Sequence, residues 1–234
     1  MLPLIVENLR FTGQHDPIIK GVNFSLNDAG VTVVMGPNGA GKSVLLRLLH
    51  GLLKVNSGQI LWNGTGLNEA LRKRQSLLFQ RPVLLRRSVL ANLRFVLKQR
   101  HISADDETCL NLLSRVQLDH VAYRSARHLS GGEQQRLALA RSLALKPEVL
   151  LMDEPAASLD PVSTKMIETI VRDQRANNTK VIFVTHDVSQ AHRVADDVLF
   201  LHHGEVLEHT SASTFFEQPQ STQARQYLSG EIVV

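Results

Sequence analysis

The chain has 234 residues, 43% of them hydrophobic and 21% charged, with a net charge of +4. Those proportions exclude a disordered tail, a collagen and a disulfide-stapled miniprotein, and the lone Cys109 excludes an internal disulfide. The basic excess is spread, with short clusters only at Arg72-Lys73-Arg74 and Arg86-Arg87, so no nucleic-acid partner is expected. In chain order, 4–10 and 22–28 are predicted strands joined through turn chemistry at Gly13–Pro17. The β-branched run Val31–Met35 predicts a buried strand that leads straight into Gly36-Pro37-Asn38-Gly39-Ala40-Gly41-Lys42-Ser43. Val44–Leu53 predicts a helix with Leu45, Leu48, Leu49 and Leu52 on one face. Trp62, after Ile60-Leu61, reads as strand packing, and Leu77–Phe79 as a short strand ending at Gln80. Residues 88–145 carry mostly helical periodicity, with Ser88 and Ser103 as N-caps and Cys109 inert on a helix. Val149–Met152 and Val181–Thr185 predict further buried strands, followed by helices over 161–176 and 188–195. Val198–Leu201 and Glu205–Leu207 flank His203-Gly204 as a hairpin. This order predicts one α/β domain, with a core of 1–81 and 148–234 and a helical insertion near 82–147. No run approaches the ~18 apolar residues of a spanning helix, and no secretory leader is expected.

Gly36–Ser43 fits the pattern G-x-x-x-x-G-K-[ST] between a predicted strand and a predicted helix. The glycines let backbone N–H groups converge on phosphate oxygens, and a helix N-terminus adds positive partial charge. Lys42 reaches the β- and γ-phosphates of a nucleotide, and Ser43 offers its hydroxyl to Mg²⁺. A phosphate cradle needs a metal-holding carboxylate. The apolar strand ending in Asp153 supplies it, and Glu154 stands one step further, where it can polarise a water. Leu129-Ser130-Gly131-Gly132-Glu133-Gln134 opens a second helix with a hydroxyl and two glycines, again an anion-binding start. Lys42 and Ser130 are 88 residues apart. One nucleotide needs one such cradle within a subunit, so two of them predict a head-to-tail pair in which each chain caps the other's nucleotide. His202-His203 has no third ligand at suitable spacing and is not read as a metal site.

Gly36–Ser43, Gln80, Leu129–Gln134, Asp153-Glu154, Ser158-Leu159-Asp160 and His186 together resemble the motif set of the ABC-type ATPases, in that family's order and approximate spacing. The resemblance implies a P-loop NTPase fold, an ABC-type ATPase core with a mixed sheet and an inserted helical subdomain. It implies ATP and Mg²⁺ as ligands. Gly36, Pro37, Asn38, Gly39, Ala40, Gly41, Lys42, Ser43 and Val44 would hold the nucleotide, with Val44 lacking the hydroxyl usual at that position. Ser43, Gln80 and Asp153 would hold the metal. Glu154 would be the general base, with His186, Gln80 and Lys42 completing the catalytic set. Ser130, Gly131, Gly132, Glu133, Gln134 and Asp160 would serve the opposite chain's nucleotide. The adenine-stacking aromatic falls near Gly13, where Phe11 is the available ring.

The same resemblance implies an energy subunit working at the cytoplasmic face of a membrane. Permease subunits would dock near Gln80–Val89, an apolar stretch flanked by arginines, and a separate solute-binding protein would deliver the solute. The stretches Gly41–Arg47, Gln80–Ser88 and Leu228–Glu231 are similar to tungstate-type importer ATPases, relatives of the molybdate and sulfate importers. With 27 residues after Leu207, no C-terminal regulatory domain is expected. A polar amino-acid importer and an exporter or lipoprotein-release system are the alternative transport readings. ABC ATPases of DNA repair or translation fit less well: one needs a long coiled-coil insertion and the other two ATPase units per chain.

Overall fold

The computed structural model describes residues 1–14, 16–103, 105–157 and 159–231. The chain runs through β1 (Leu4–Thr12), β2 (Pro17–Leu26), β3 (Gly30–Met35), α1 (Lys42–His50), β4 (Ser57–Trp62), β5 (Thr65–Gly66), α2 (Glu69–Lys73) and β6 (Gln75–Leu78). It then turns helical through α3 (Val89–Gln99), α4 (Asp106–Ser114) and α5 (Gly131–Ala144). There follow β7 (Val149–Asp153), α6 (Pro161–Asp173), β8 (Lys180–Val184), α7 (Val188–Val194), β9 (Asp197–His202), β10 (Glu205–Ser211), α8 (Ala212–Glu217) and α9 (Thr222–Ser229).

Two sheets form. One is antiparallel, in the order β2-β1-β4-β5; the other is mixed, in the order β10-β9-β3-β8-β7-β6, with only β10 antiparallel to its neighbour. Every residue of β3, β7 and β8 is buried, as expected of parallel strands covered on both faces, and so they read as unbroken apolar runs. Alternation then divides the core. Val31, Val33, Leu150, Met152, Val181 and Phe183 face the helical block and α6; Val34, Val149, Leu151, Ile182 and Val184 face α1 and the antiparallel sheet. Both faces of the mixed sheet are thereby sealed, and the loops at the carboxyl ends of β3, β6, β7 and β8 gather on one edge, where an open α/β sheet binds ligands.

Several boundaries differ from the sequence reading. β2 begins at Pro17 rather than 22, because Gly21 (φ +92°) and the register shifts against β1 break the alternation that would have marked its start. α1 begins at Lys42 and stops at His50, where Gly51 takes the left-handed C-cap. Ser88 does cap α3, accepting from the Ala91 N–H, but Asp105 rather than Ser103 caps α4. The helix expected over 161–176 ends at Asp173 and continues as a 3₁₀ turn to Asn177. The short α2, and α8 and α9 after β10, carried no expectation. Trp62 is fully buried in the antiparallel sheet, and Cys109 is buried on α4.

Candidate functional site

The phosphate-type loop is shaped by its neighbours. A Cβ at Gly36 (φ +143°) would lie 1.9 Å from the Leu201 carbonyl oxygen, so β9 admits only glycine there. A Cβ at Gly41 (φ +103°) would come within 3.0 Å of Ile19 Cδ1 on β2. The Gly204 N–H donates to the Ala40 carbonyl at 3.0 Å, so the β9–β10 hairpin buttresses the loop from behind. Asn38 and Gly39 stay exposed, and the space around Gly39 is open. Lys42, 6% exposed, folds back into the loop and donates from Nζ to the Gly36 and Pro37 carbonyls at 2.7 and 2.9 Å. Burial lowers its pKa, while the negative charges of Glu154 and Asp153 oppose that shift. Val44 is partly buried against the core.

Parallel pairing of β3 with β8, and of β8 with β7, brings three strand ends side by side. Ser43 Oγ donates to Asp153 Oδ1 at 2.7 Å. Burial pushes the Asp153 carboxyl up, and the Ser43 hydrogen bond and the Arg47 charge pull it down. At Glu154 the backbone turns left-handed (φ +44°), while its N–H still donates to the Val184 carbonyl at 3.0 Å. Its carboxylate lies between two side chains: Gln80 Nε2 is 3.2 Å from Oε2, and His186 Nδ1 is 3.2 Å from Oε1. A cleft of about 230 Å³ opens beside them, lined by Glu154, Ala157, His186, Asp187 and Gln190. The donor set at the ends of β3, β6 and β7, next to Glu154, suits a magnesium nucleotide. The Ser43 hydroxyl, the Asp153 carboxylate and the Gln80 amide oxygen are hard oxygen ligands, and the buried Lys42 ammonium, held by the loop carbonyls, stands ready for the phosphates.

Other expected residues lie elsewhere. Ser130 and Glu133 form a capping box on α5, each side chain accepting the other's backbone N–H, and Gln134 donates to the Leu129 carbonyl at 2.9 Å. Asp160 caps α6, accepting from the Val162 and Ser163 N–H groups. Gly132 fits closely against α6, since a Cβ there would meet Ser163 Oγ at 2.7 Å; a Cβ at Gly131 would meet nothing within 4 Å. Among the described residues, no hydrogen bond joins this group to Gly36–Ser43. Ser158 lies outside the described residues. Phe11 sits on β1 opposite Ile19, half-buried against the core that also holds Ile18.

Two supporting residues escaped the sequence reading. Gln135, 2% exposed, donates to the Phe79 carbonyl at 3.1 Å and ties α5 to the strand end that carries Gln80. Asn92, fully buried on α3, holds both the N–H and the C=O of Leu85. A polar residue inside an amphipathic helix is the signal that could have marked it. Next to the Phe79 and Leu85 segments that they hold lies a groove of about 440 Å³, lined by Leu52, Phe79, Pro82, Val83 and Leu85 together with His50 and Gln75.

The family described as "ABC transporter" matches residues 19–157. Phosphate import ATP-binding protein PstB 2 of Listeria monocytogenes is 38% identical, over 91% of this chain and 84% of that protein. Phosphate import ATP-binding protein PstB of Mycoplasmoides gallisepticum is 33% identical, over 96% of this chain and 74% of that one. The structure of cbiO1 from Clostridium perfringens, described as part of the ABC transporter complex cbiONQ, superposes with a TM-score of 0.80 at 28% identity, covering 92% of this chain and 91% of that one. With sequence and fold matched over nearly its whole length, the chain belongs to the ABC transporter family as one of its ATP-binding ATPases.

Proposed function

We propose that this chain powers an importer of a tetrahedral oxyanion, working as a head-to-tail homodimer beneath permease subunits at the cytoplasmic face of a membrane. The observation that carries the chemistry is the Glu154 carboxylate held between Gln80 and His186, beside the Ser43–Asp153 pair. In this reading Gly36–Val44 and Lys42 hold the phosphates, with Phe11 against the adenine. Ser43, Asp153 and Gln80 would hold Mg²⁺, which when bound neutralises charge on the phosphate oxygens. Glu154 accepts a proton from the attacking water, Gln80 and His186 orient the carboxylate, and His186 steadies the transferring phosphoryl group. Ser130–Gln134 and Asp160, remote from the loop within one chain, act on the opposite chain's nucleotide. Residues 82–147 serve as a helical subdomain within a single ATPase domain.

The groove between β6 and the helical block supports permease docking. Phe79, Val83 and Leu52 expose apolar side chains there, with Val83 79% exposed. It includes the expected stretch after Gln80, and it extends to α1 and α5. For the solute, the names of the relatives point to phosphate ahead of tungstate or molybdate. A separate solute-binding protein would feed such an importer.

The test of the chemistry is Glu154→Gln in the purified chain. ATP binding is expected to persist, while hydrolysis falls by about 10²–10⁴-fold. A rate within about twofold of wild type removes Glu154 from the base role. For the solute, cells carrying the whole transporter are supplied with labelled phosphate, with tungstate or molybdate as competitor. Phosphate uptake that neither competitor reduces supports phosphate as the solute. Tungstate uptake that excess phosphate does not reduce would put tungstate first.

A further inference from the structure

Tyr227 is on α9, the last described helix, yet its hydroxyl donates to the backbone carbonyl of His186 at 3.1 Å. One side chain thus reaches from the last described helix to the backbone of the histidine beside Glu154. Its ring is anchored from below, 5.4 Å from the buried Phe200 on β9, which in turn packs on Phe215 at 5.7 Å. The helix itself is fixed at both ends. Ser221 caps it, accepting from the Ala224 N–H at 3.1 Å, and the Ser221 N–H donates to the buried Glu208 of β10. Gly230 closes it in the left-handed conformation. Burial pushes the Tyr227 phenol up to about 12, so it stays a donor at every pH at which the enzyme works.

We infer that Tyr227 is a positioning residue for hydrolysis. By holding the His186 carbonyl it fixes the peptide plane that aims the His186 ring at Glu154, and it makes the C-terminal helix a support of the γ-phosphate side of the site. The physical reason is local. The His186 carbonyl and the Asp187 N–H belong to one planar peptide, whose N–H donates to Thr185 Oγ1 and whose carbonyl accepts from Tyr227, so the phenol is the second of two holds on that plane. Without the hydroxyl that plane keeps only its bond to Thr185, and the exposed His186 ring is held less firmly. This inference rests on the role of His186 in hydrolysis proposed for the site.

Tyr227→Phe removes one oxygen and leaves the ring against Phe200. In the purified chain with Mg-ATP, kcat is expected to fall about threefold to tenfold, the rate equivalent of one hydrogen bond, with KM for ATP moving less than about twofold. In a His186→Ala background the same change is expected to cost nothing further. Amide exchange at Thr185–Gln190 is expected to quicken while that of α1 holds, which a general loss of stability would not produce. A wild-type kcat, penalties that multiply, or exchange rising equally in α1 each overturn the inference. If His186→Ala is slow and Tyr227→Phe is not, the inference fails alone. If His186→Ala itself runs at the wild-type rate, the reading of His186 fails and takes the inference with it.

Discussion

The left-handed backbone at Glu154 is the kind of local strain that a non-glycine residue adopts only when its surroundings hold it, at about 1–3 kcal/mol. Here the hold is the Val184 carbonyl on the neighbouring strand and the pair Gln80 and His186 on the side chain. The turn follows directly on β7 and leaves Glu154 lining the cleft, so the strain is coupled to the placement of the proposed base. Asn92 shows the converse, a polar residue placed in the core to satisfy a loop. Asn92→Leu keeps the volume but strands the Leu85 N–H and C=O. Unfolding free energy from denaturant titration is expected to fall by about 3 kcal/mol, and an unchanged midpoint would show that the loop finds other partners.

At the scale of elements, the register of the parallel strands does most of the assembly. β7 and β6 are locked at their lower ends by Arg74, which donates from Nη2 to Glu148 at 2.6 Å while the Glu148 N–H returns a bond to the Arg74 carbonyl. Hydrogen bonding to Arg74 holds the Glu148 carboxyl down at about 2, against an ordinary 4.5. A depressed carboxylate contributes stability that is fully present above the unfolded value and drains away as pH falls through the folded one. Thermal midpoints of the wild type are therefore expected to drop between pH 4.5 and about 2 more steeply than those of Glu148→Gln. Parallel curves for the two proteins would place the acid sensitivity elsewhere. The pair is largely exposed, so its worth at neutral pH is small.

For the whole molecule, the decisive feature is what one chain leaves unfinished. α5 starts with a complete capping box, and its first residue, Gly131, has open space where a side chain could go. Nothing in the fold of one chain demands glycine there, whereas the proposed head-to-tail pair would place a second chain's nucleotide against it. Gly131→Asp is expected to melt within about 2 °C of wild type and yet lose ATP hydrolysis. Full activity in that variant would remove the head-to-tail arrangement. The groove beside β6 is lined by none of Ser130–Gln134, so it is a surface distinct from the start of α5.

The sequence by itself determined the chemistry at short range. Gly36–Ser43 and Asp153-Glu154 are contiguous motifs, and the flanking apolar runs were buried strands that could be read from composition, because a strand covered on both faces is predominantly apolar and Thr32 is the one polar residue inside these runs. The helical block between 88 and 145 was legible from its periodicity for the same kind of reason. The ends of elements were less legible. Gly21 and the bulges of β1 broke the alternation that marks β2, and an aspartate two residues on outcompeted Ser103 as a cap. The meeting of Gln80 and His186 on Glu154, the bracing of Leu85 by Asn92, and the reach of Tyr227 from the last described helix to His186 were decided by the tertiary structure. Each joins residues from different elements through single hydrogen bonds, and such bonds leave no periodic trace in the sequence because they are set by which strand ends lie side by side.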